Sequence, residues 1–231
     1  MTNTTNFHPS QDLLSAFAQG GLSVGMNVAL SAHIELCDTC RSKTGEMKSD
    51  AVMSWLQTSE EVVEPDFSDM IESIVSQPQD KEEPERGGHA VHEMHMLNHS
   101  VLLPRVLAKV ASEGLVWKKL TGGINQALVK LDAETQCEFI YMTPGSQVPV
   151  HKHQGSEVTL VLDGSFSDEL GHYRVSDFVV RTKEHIHRPA SDEGCLCFSV
   201  LDSPLTFTKG LARFMNPFLE YKFRKSVSQQ A

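Results

Sequence analysis

The chain has 231 residues, 40% of them hydrophobic and 22% charged, and a formal net charge of −10 at pH 7. That balance suits a soluble globular protein of one large or two modest domains, and its acidity argues against direct nucleic-acid binding by the whole molecule. No apolar run approaches the ~20 residues that a membrane span needs. The opening MTNTTNFHPSQD also lacks the basic start and apolar core of a secretory signal. A cytoplasmic location is therefore expected, where the five cysteines stay reduced and serve as ligands, sensors or core residues.

Residues 1 to about 76 read as helical. Ser10 offers N-cap chemistry ahead of Leu13, Leu14 and Phe17, and Gly20-Gly21 stops that first helix. A second helix is expected from Ser23 to about Lys43, with Val24, Val28 and Leu36 among its apolar positions. A third is expected after Ser49-Asp50, carrying Ala51, Val52, Trp55 and Leu56. In the segment after Pro65, Phe67, Met70, Ile71 and Ile74 follow the i, i+3, i+4, i+7 spacing of one helical face. Four short helices offer little apolar surface, and a domain of that size needs a staple or a partner.

The second helix supplies a staple. His33, Cys37 and Cys40 fall at i, i+4 and i+7, which places them on one face of a continuous helix. Structural zinc takes four tetrahedral nitrogen and thiolate ligands, and His8, just before Pro9, is the candidate for the fourth.

Between residues 60 and 86 there are ten acidic side chains (Glu60, Glu61, Glu64, Asp66, Asp69, Glu72, Asp80, Glu82, Glu83 and Glu85), opposed only by Lys81 and Arg86. From Gln77 to Gly88 this reads as a solvated tether. On the preceding helix, an apolar stripe of Phe67, Met70, Ile71 and Ile74 edged by carboxylates suits a basic partner protein. His89, His92, His95 and His99 follow at spacings of three, three and four, and are read as surface histidines without a specific role.

From Val101 onward the pattern changes to short β-prone runs: Val116–Leu120, Gln126–Leu131, Cys137–Met142, Phe178–Val180, Cys195–Val200 and Leu205–Phe207. The stretch GSQVPVHKHQGSEVTLVLDG, residues 145 to 164, carries the chemistry. On a strand His151 and His153 point to one face, and Glu157 beyond the Gln154-Gly155-Ser156 turn can return a carboxylate to the same point. Two imidazoles and a carboxylate suit a divalent transition metal with room for one more ligand. His187 is the leading candidate and His185 the alternative. Cys195 and Cys197 share a face, either as core thiols or as inward groups near that metal.

Gly145, His151, His153, Glu157 and Gly164 match the first cupin motif at every fixed position, and Asp177, Phe178 and His187 resemble parts of the second, whose internal glycine and proline are missing here. The resemblance implies a double-stranded β-helix, or jelly-roll, barrel with a metal inside. The H-x3-C-x2-C segment in a four-helix front half is similar to the zinc-binding anti-sigma factors, and the combination resembles the ChrR family. That resemblance implies an α+β chain of two domains: a zinc-binding helical domain over 1–78, an acidic, histidine-containing linker over 79–100, and a cupin domain over 101–231. It implies zinc on His8, His33, Cys37 and Cys40, and zinc or another divalent metal on His151, His153, Glu157 and His187. The implied partner is an alternative sigma factor of the extracytoplasmic-function type, released when the cupin meets singlet oxygen, an organic peroxide or another small signal. The rival reading is a cupin dioxygenase or small-ligand-binding cupin with a helical extension; no general acid or base beyond the ligands is evident in the sequence.

Overall fold

The structure is a computed structural model that describes residues 5–58, 66–77, 93–95 and 100–228. Most of the expected linker, including His89, His92, His99 and the acidic residues Asp80, Glu82, Glu83 and Glu85, lies outside the described residues. So do Glu60, Glu61 and Glu64, and the side chains of Trp55 and Leu56.

Four helices come first: α1 (Gln11–Ala18), α2 (Val24–Leu36), α3 (Asp38–Thr58) and α4 (Ser68–Val75). The Ser10 hydroxyl accepts the Leu13 N–H at 3.2 Å as the expected cap of α1. Gly20 ends the helix at φ +73°, and the Gly21 N–H returns to the Ala16 carbonyl at 2.9 Å. The expected single helix through Lys43 is broken. Cys37 is extended (φ −127°, ψ 104°), closing α2, and its carbonyl accepts the Arg41 N–H at 3.0 Å to open α3. Nor does a new helix begin at Ser49-Asp50, because α3 runs straight through them.

The remainder is β1 (Glu93–His95), β2 (Ser100–Leu102), α5 (Arg105–Ser112), β3 (Trp117–Lys119), β4 (Ile124–Val129), β5 (Gln136–Met142), β6 (Ser146–Gln147), β7 (His151–His153), β8 (Glu157–Asp168), β9 (Gly171–Arg174), β10 (Phe178–Arg181), β11 (Ile186–His187), β12 (Ala190–Ser191), β13 (Cys195–Leu201), β14 (Leu205–Phe207) and α6 (Asn216–Ser228). Two helices interrupt what the sequence suggests is an all-strand half. α5 buries Leu107 and Ala108 against α2, and α6 crosses one end of the barrel.

Nine strands form one antiparallel sheet in which β3, β4, β5, β13, β8, β12 and β6 are successive neighbours. β10 pairs with the first part of β8 and β9 with its end. The motif glycine Gly164 sits between these two pairings at φ +67°, where a Cβ would strike the Gly194 carbonyl. A second sheet of β11, β7 and β14 faces it and closes the barrel.

The central strands are buried on both faces, so their residues divide by alternation. Cys137, Phe139, Val158, Leu160, Leu196, Phe198 and Val200 join Leu14, Leu30 and Leu107 of the helices in one core. Glu138, Glu157, Thr159, Cys197 and Ser199 turn the other way and line the barrel interior. The helical segment is therefore packed on the outside of the barrel wall. At the closest approach a Cβ on Gly25 of α2 would collide with Thr135 Oγ1 and Cys137 Sγ, and the Gly25 N–H donates to Asp132 Oδ2 at 2.7 Å.

Candidate metal centres

The break at Cys37 builds the first centre. On a straight helix His33 and Cys40 would be separated by about 10 Å along the axis, too far to share one ion. The extended Cys37 folds α3 back so that ligand atoms of His8, His33, Cys37 and Cys40 all lie within 4.8 Å of one another. His8 Nδ1 is 3.4 Å from both Cys37 Sγ and Cys40 Sγ. That is close to the spacing of about 3.6 Å that tetrahedral zinc imposes on a nitrogen and a thiolate. His33 is wholly buried and donates from Nδ1 to the Ser176 carbonyl at 2.9 Å, which leaves its Nε2 as a buried nitrogen without a hydrogen-bond partner. An imidazole held by its far nitrogen, with the near one unpaired among thiols, fits a structural zinc ion.

Charge agrees with geometry. Burial pushes His33 down to about 4, so its imidazole is neutral and its Nε2 lone pair is free. Burial and the neighbouring Cys37 lift the Cys40 thiol to about 12. A thiol so placed ionises only against a nearby cation, which couples metal uptake to proton release.

The N-terminal ligand is brought in by the barrel. Asp177, fully buried, accepts the Asn6 and Phe7 N–H groups on Oδ1 at 2.7 and 3.1 Å, and the Arg174 N–H on Oδ2 at 2.9 Å. The Phe178 N–H donates to the Phe7 carbonyl at 2.9 Å. His8 is thus delivered by a chain segment tied to the β9–β10 turn, the same turn whose Ser176 carbonyl holds His33.

The second centre lies inside the barrel. His151 and His153 flank Lys152 on β7, β11 pairs His187 directly with His151, and Glu157 opens β8. The four ligand atoms lie within 4.8 Å of one another. His153 Nε2 is 3.1 Å from His187 Nε2 and 3.0 Å from Glu157 Oε2, in the range of about 2.9–3.4 Å for neighbours around one divalent ion. His151 donates from Nδ1 to the Pro149 carbonyl at 2.9 Å, and His187 from Nδ1 to Asp168 Oδ2 at 3.0 Å. Both rings therefore present an Nε2 lone pair inward. Lone pairs converging with a carboxylate are mutually repulsive until a cation joins them, so this donor set also fits a metal.

Burial, then the His187 ring, pushes His151 down to about 4. Burial opposes ionisation of Glu157, but the surrounding imidazoles, His153 foremost, outweigh it and hold the carboxyl at about 2. Asp168 behaves alike: His187 and Arg181 overcome its burial and keep it below the usual carboxylate range. Its Oδ2 also takes the Arg181 guanidinium at 2.9 Å, and its Oδ1 accepts from Tyr173 OH at 3.0 Å.

All eight expected ligands fall into these two clusters, and His187 rather than His185 completes the second. His185 instead accepts the Thr182 N–H on Nδ1 at 3.0 Å. Cys195 and Cys197 both belong to the apolar interior of the barrel, their sulfurs 4.0 Å apart, and Cys197 also lines a cavity of about 80 Å³ together with His151, Glu157 and His187. Asp168, Ser176 and Asp177 carry no ligand signature in the sequence, although Asp177 stands in the second cupin motif.

An antiparallel barrel enclosing three histidines and a glutamate, with a helical His2Cys2 cluster packed on its wall, defines a two-centre cupin protein. Residues 107–203 match a family model described as a ChrR cupin-like domain. The anti-sigma-E factor ChrR of Cereibacter sphaeroides is 29% identical over 223 residues, covering 93% of this chain and 98% of that protein. A crystal structure of Rhodobacter sphaeroides SigE in complex with the anti-sigma ChrR is similar over 86% of this chain and 100% of that one, at 27% identity and a TM-score of 0.67. Over nearly its whole length the chain is thus similar to ChrR anti-sigma factors.

Proposed function

We propose that this protein is a cytoplasmic, zinc-dependent anti-sigma factor. Its helical segment, residues 1–78, sequesters an extracytoplasmic-function-type sigma factor, and its cupin, residues 101–231, governs release. The observation that carries the reading is the His8, His33, Cys37, Cys40 cluster in a chain similar along nearly its whole length to an anti-sigma factor. Zinc there is a folding staple, contributing on the order of 10 kcal/mol.

The partner surface is α4. Every residue from 66 to 77 is exposed, including Phe67, Met70, Ile71 and Ile74, each more than half accessible, beside the carboxylates of Asp66, Asp69 and Glu72. An uncovered apolar stripe edged with negative charge suits a basic, DNA-binding protein such as a sigma factor. Occupying that protein's polymerase- and DNA-facing surfaces silences it by competition.

The cupin centre, with zinc or another divalent metal on His151, His153, Glu157 and His187, is the sensor. The adjoining cavity of about 80 Å³ is worth two or three water molecules at ~30 Å³ each. It admits a small oxidant such as singlet oxygen or a peroxide group in preference to a bulky dioxygenase substrate. Cys197 and the imidazoles are the oxidisable groups within reach. The test is transcription from a promoter dependent on the cognate sigma factor, with and without the purified full chain. Inhibition is expected from the native protein and its absence from Cys37→Ser/Cys40→Ser; equal inhibition by both would overturn the zinc role.

A further inference from the structure

Beside β5 and β14, α6 forms a roof that stands off the barrel. It is anchored at its start by a reciprocal pair, the Phe207 N–H donating to Asn216 Oδ1 at 2.9 Å and Asn216 Nδ2 to the Phe207 carbonyl at 3.0 Å. Near its end Ser226 donates to Gln136 Oε1 at 3.0 Å. Between these ties lies a cavity of about 590 Å³, walled by Ile124, Ile140, Leu201 and Leu205 below and Leu219 and Phe223 above. Its volume falls within the range of small-molecule sites, and its predominantly apolar wall is typical of them.

A small set of polar groups converges on this cavity. Lys222 on α6 donates to Gln126 Oε1 at 2.6 Å, Gln126 Nε2 donates to Glu138 Oε2 at 2.5 Å, and Gln136 Nε2 adds a second donor to Glu138 Oε2 at 2.9 Å. Glu138 is 3% exposed and Gln126 8%. Among the described residues nothing bonds to Glu138 Oε1, and two of the Lys222 ammonium protons have no partner. Glu138, Ile140, Val148 and Leu205 also line the metal-side cavity, so the two spaces share a wall.

We propose that the space beneath α6 is a binding site for an apolar molecule bearing one neutral hydroxyl-type head, which donates to Glu138 Oε1 and accepts from Lys222 Nζ. A hydroxyl carries both a donor and acceptor lone pairs, which matches this pair of free sites. A hydroxyl can meet Glu138 whether that group holds its proton or not, whereas a charged head would be desolvated against a mostly apolar wall, and a cationic one would also face Lys222.

Calorimetric titration of the full, metal-loaded chain with 1-decanol, decanoate and decylamine tests this. Saturable one-site binding of 1-decanol is expected, at least tenfold tighter than either charged congener. Leu219→Trp, which fills the cavity from the roof without touching the polar groups, should weaken 1-decanol at least tenfold. Lys222→Met should abolish the discrimination against decylamine. No saturable binding of 1-decanol, equal affinity for all three compounds, or binding unchanged by Leu219→Trp would overturn the proposal.

Discussion

Asp177→Ala separates the barrel from the cluster of His8, His33, Cys37 and Cys40 without altering a ligand. The carboxylate accepts the Asn6 and Phe7 N–H groups immediately before His8. Hydrogen bonds to a carboxylate contribute roughly 1.5 kcal/mol or more each, so losing these two costs about 3 kcal/mol of the preference for the docked segment. At 1.4 kcal/mol per tenfold, His8 would be presented about a hundredfold less well, and metal affinity at this centre should fall by a similar factor. Cobalt(II) provides the assay, because only this centre has thiolate ligands and only it gives sulfur-to-cobalt charge-transfer absorption. Titration against a competing chelator should show a decrease of about two decades in Asp177→Ala, and one of comparable size in His8→Ala. The cupin metal should remain bound. If Asp177→Ala held cobalt as tightly as the native chain, the barrel would have no part in assembling the front centre.

Other consequences are as direct. Asp168→Asn removes the carboxylate that orients His187 and pairs Arg181; cupin-metal affinity should fall 10- to 100-fold by elemental analysis after dialysis against chelator, with the thiolate centre retained. Glu138 is raised to about 7, chiefly by burial and then by Glu157. The folded state therefore keeps a proton that the unfolded state releases near 4.5, and stability contributed by the protonated group is lost as pH rises from about 4.5 through 7, by up to roughly 3 kcal/mol. In urea unfolding, Glu138→Gln should flatten that decline relative to the native chain; an identical slope would refute the assignment. Ile71→Asp on α4 should weaken sigma-factor capture more than tenfold in a pull-down while leaving the melting temperature unchanged, since Ile71 is 56% exposed and touches no core.

The two ligand sets were legible in the sequence because metal donors are few in kind and their spacings short. His151, His153 and Glu157 follow from strand alternation and one turn. His33, Cys37 and Cys40 were also legible as a set, but the single-helix geometry expected for them does not hold. Residue types reveal the donors, whereas the extended φ and ψ at Cys37 are imposed by convergence on His8, nearly thirty positions away. Helix α5 has no distinct sequence signal, because Val106, Leu107 and Val110 are equally at home in a strand until α2 is there to receive them. The roof helix α6 was hidden for a different reason. Its apolar residues do not form one clean stripe, and Phe218 and Tyr221 face outward. Asp168 and Asp177 act through tertiary hydrogen bonds, which have no sequence periodicity.

Gly25 carries a consequence for how the two halves come apart. Helix α2 lies so near β5 and β13 there that even one methyl group has nowhere to go. Gly25→Val would be a wedge driven into the joint, at a position that is neither a ligand nor part of α4. A molecule levered open at that point, yet chemically intact at every ligand, would reveal whether the barrel restrains its passenger by grip or by signal.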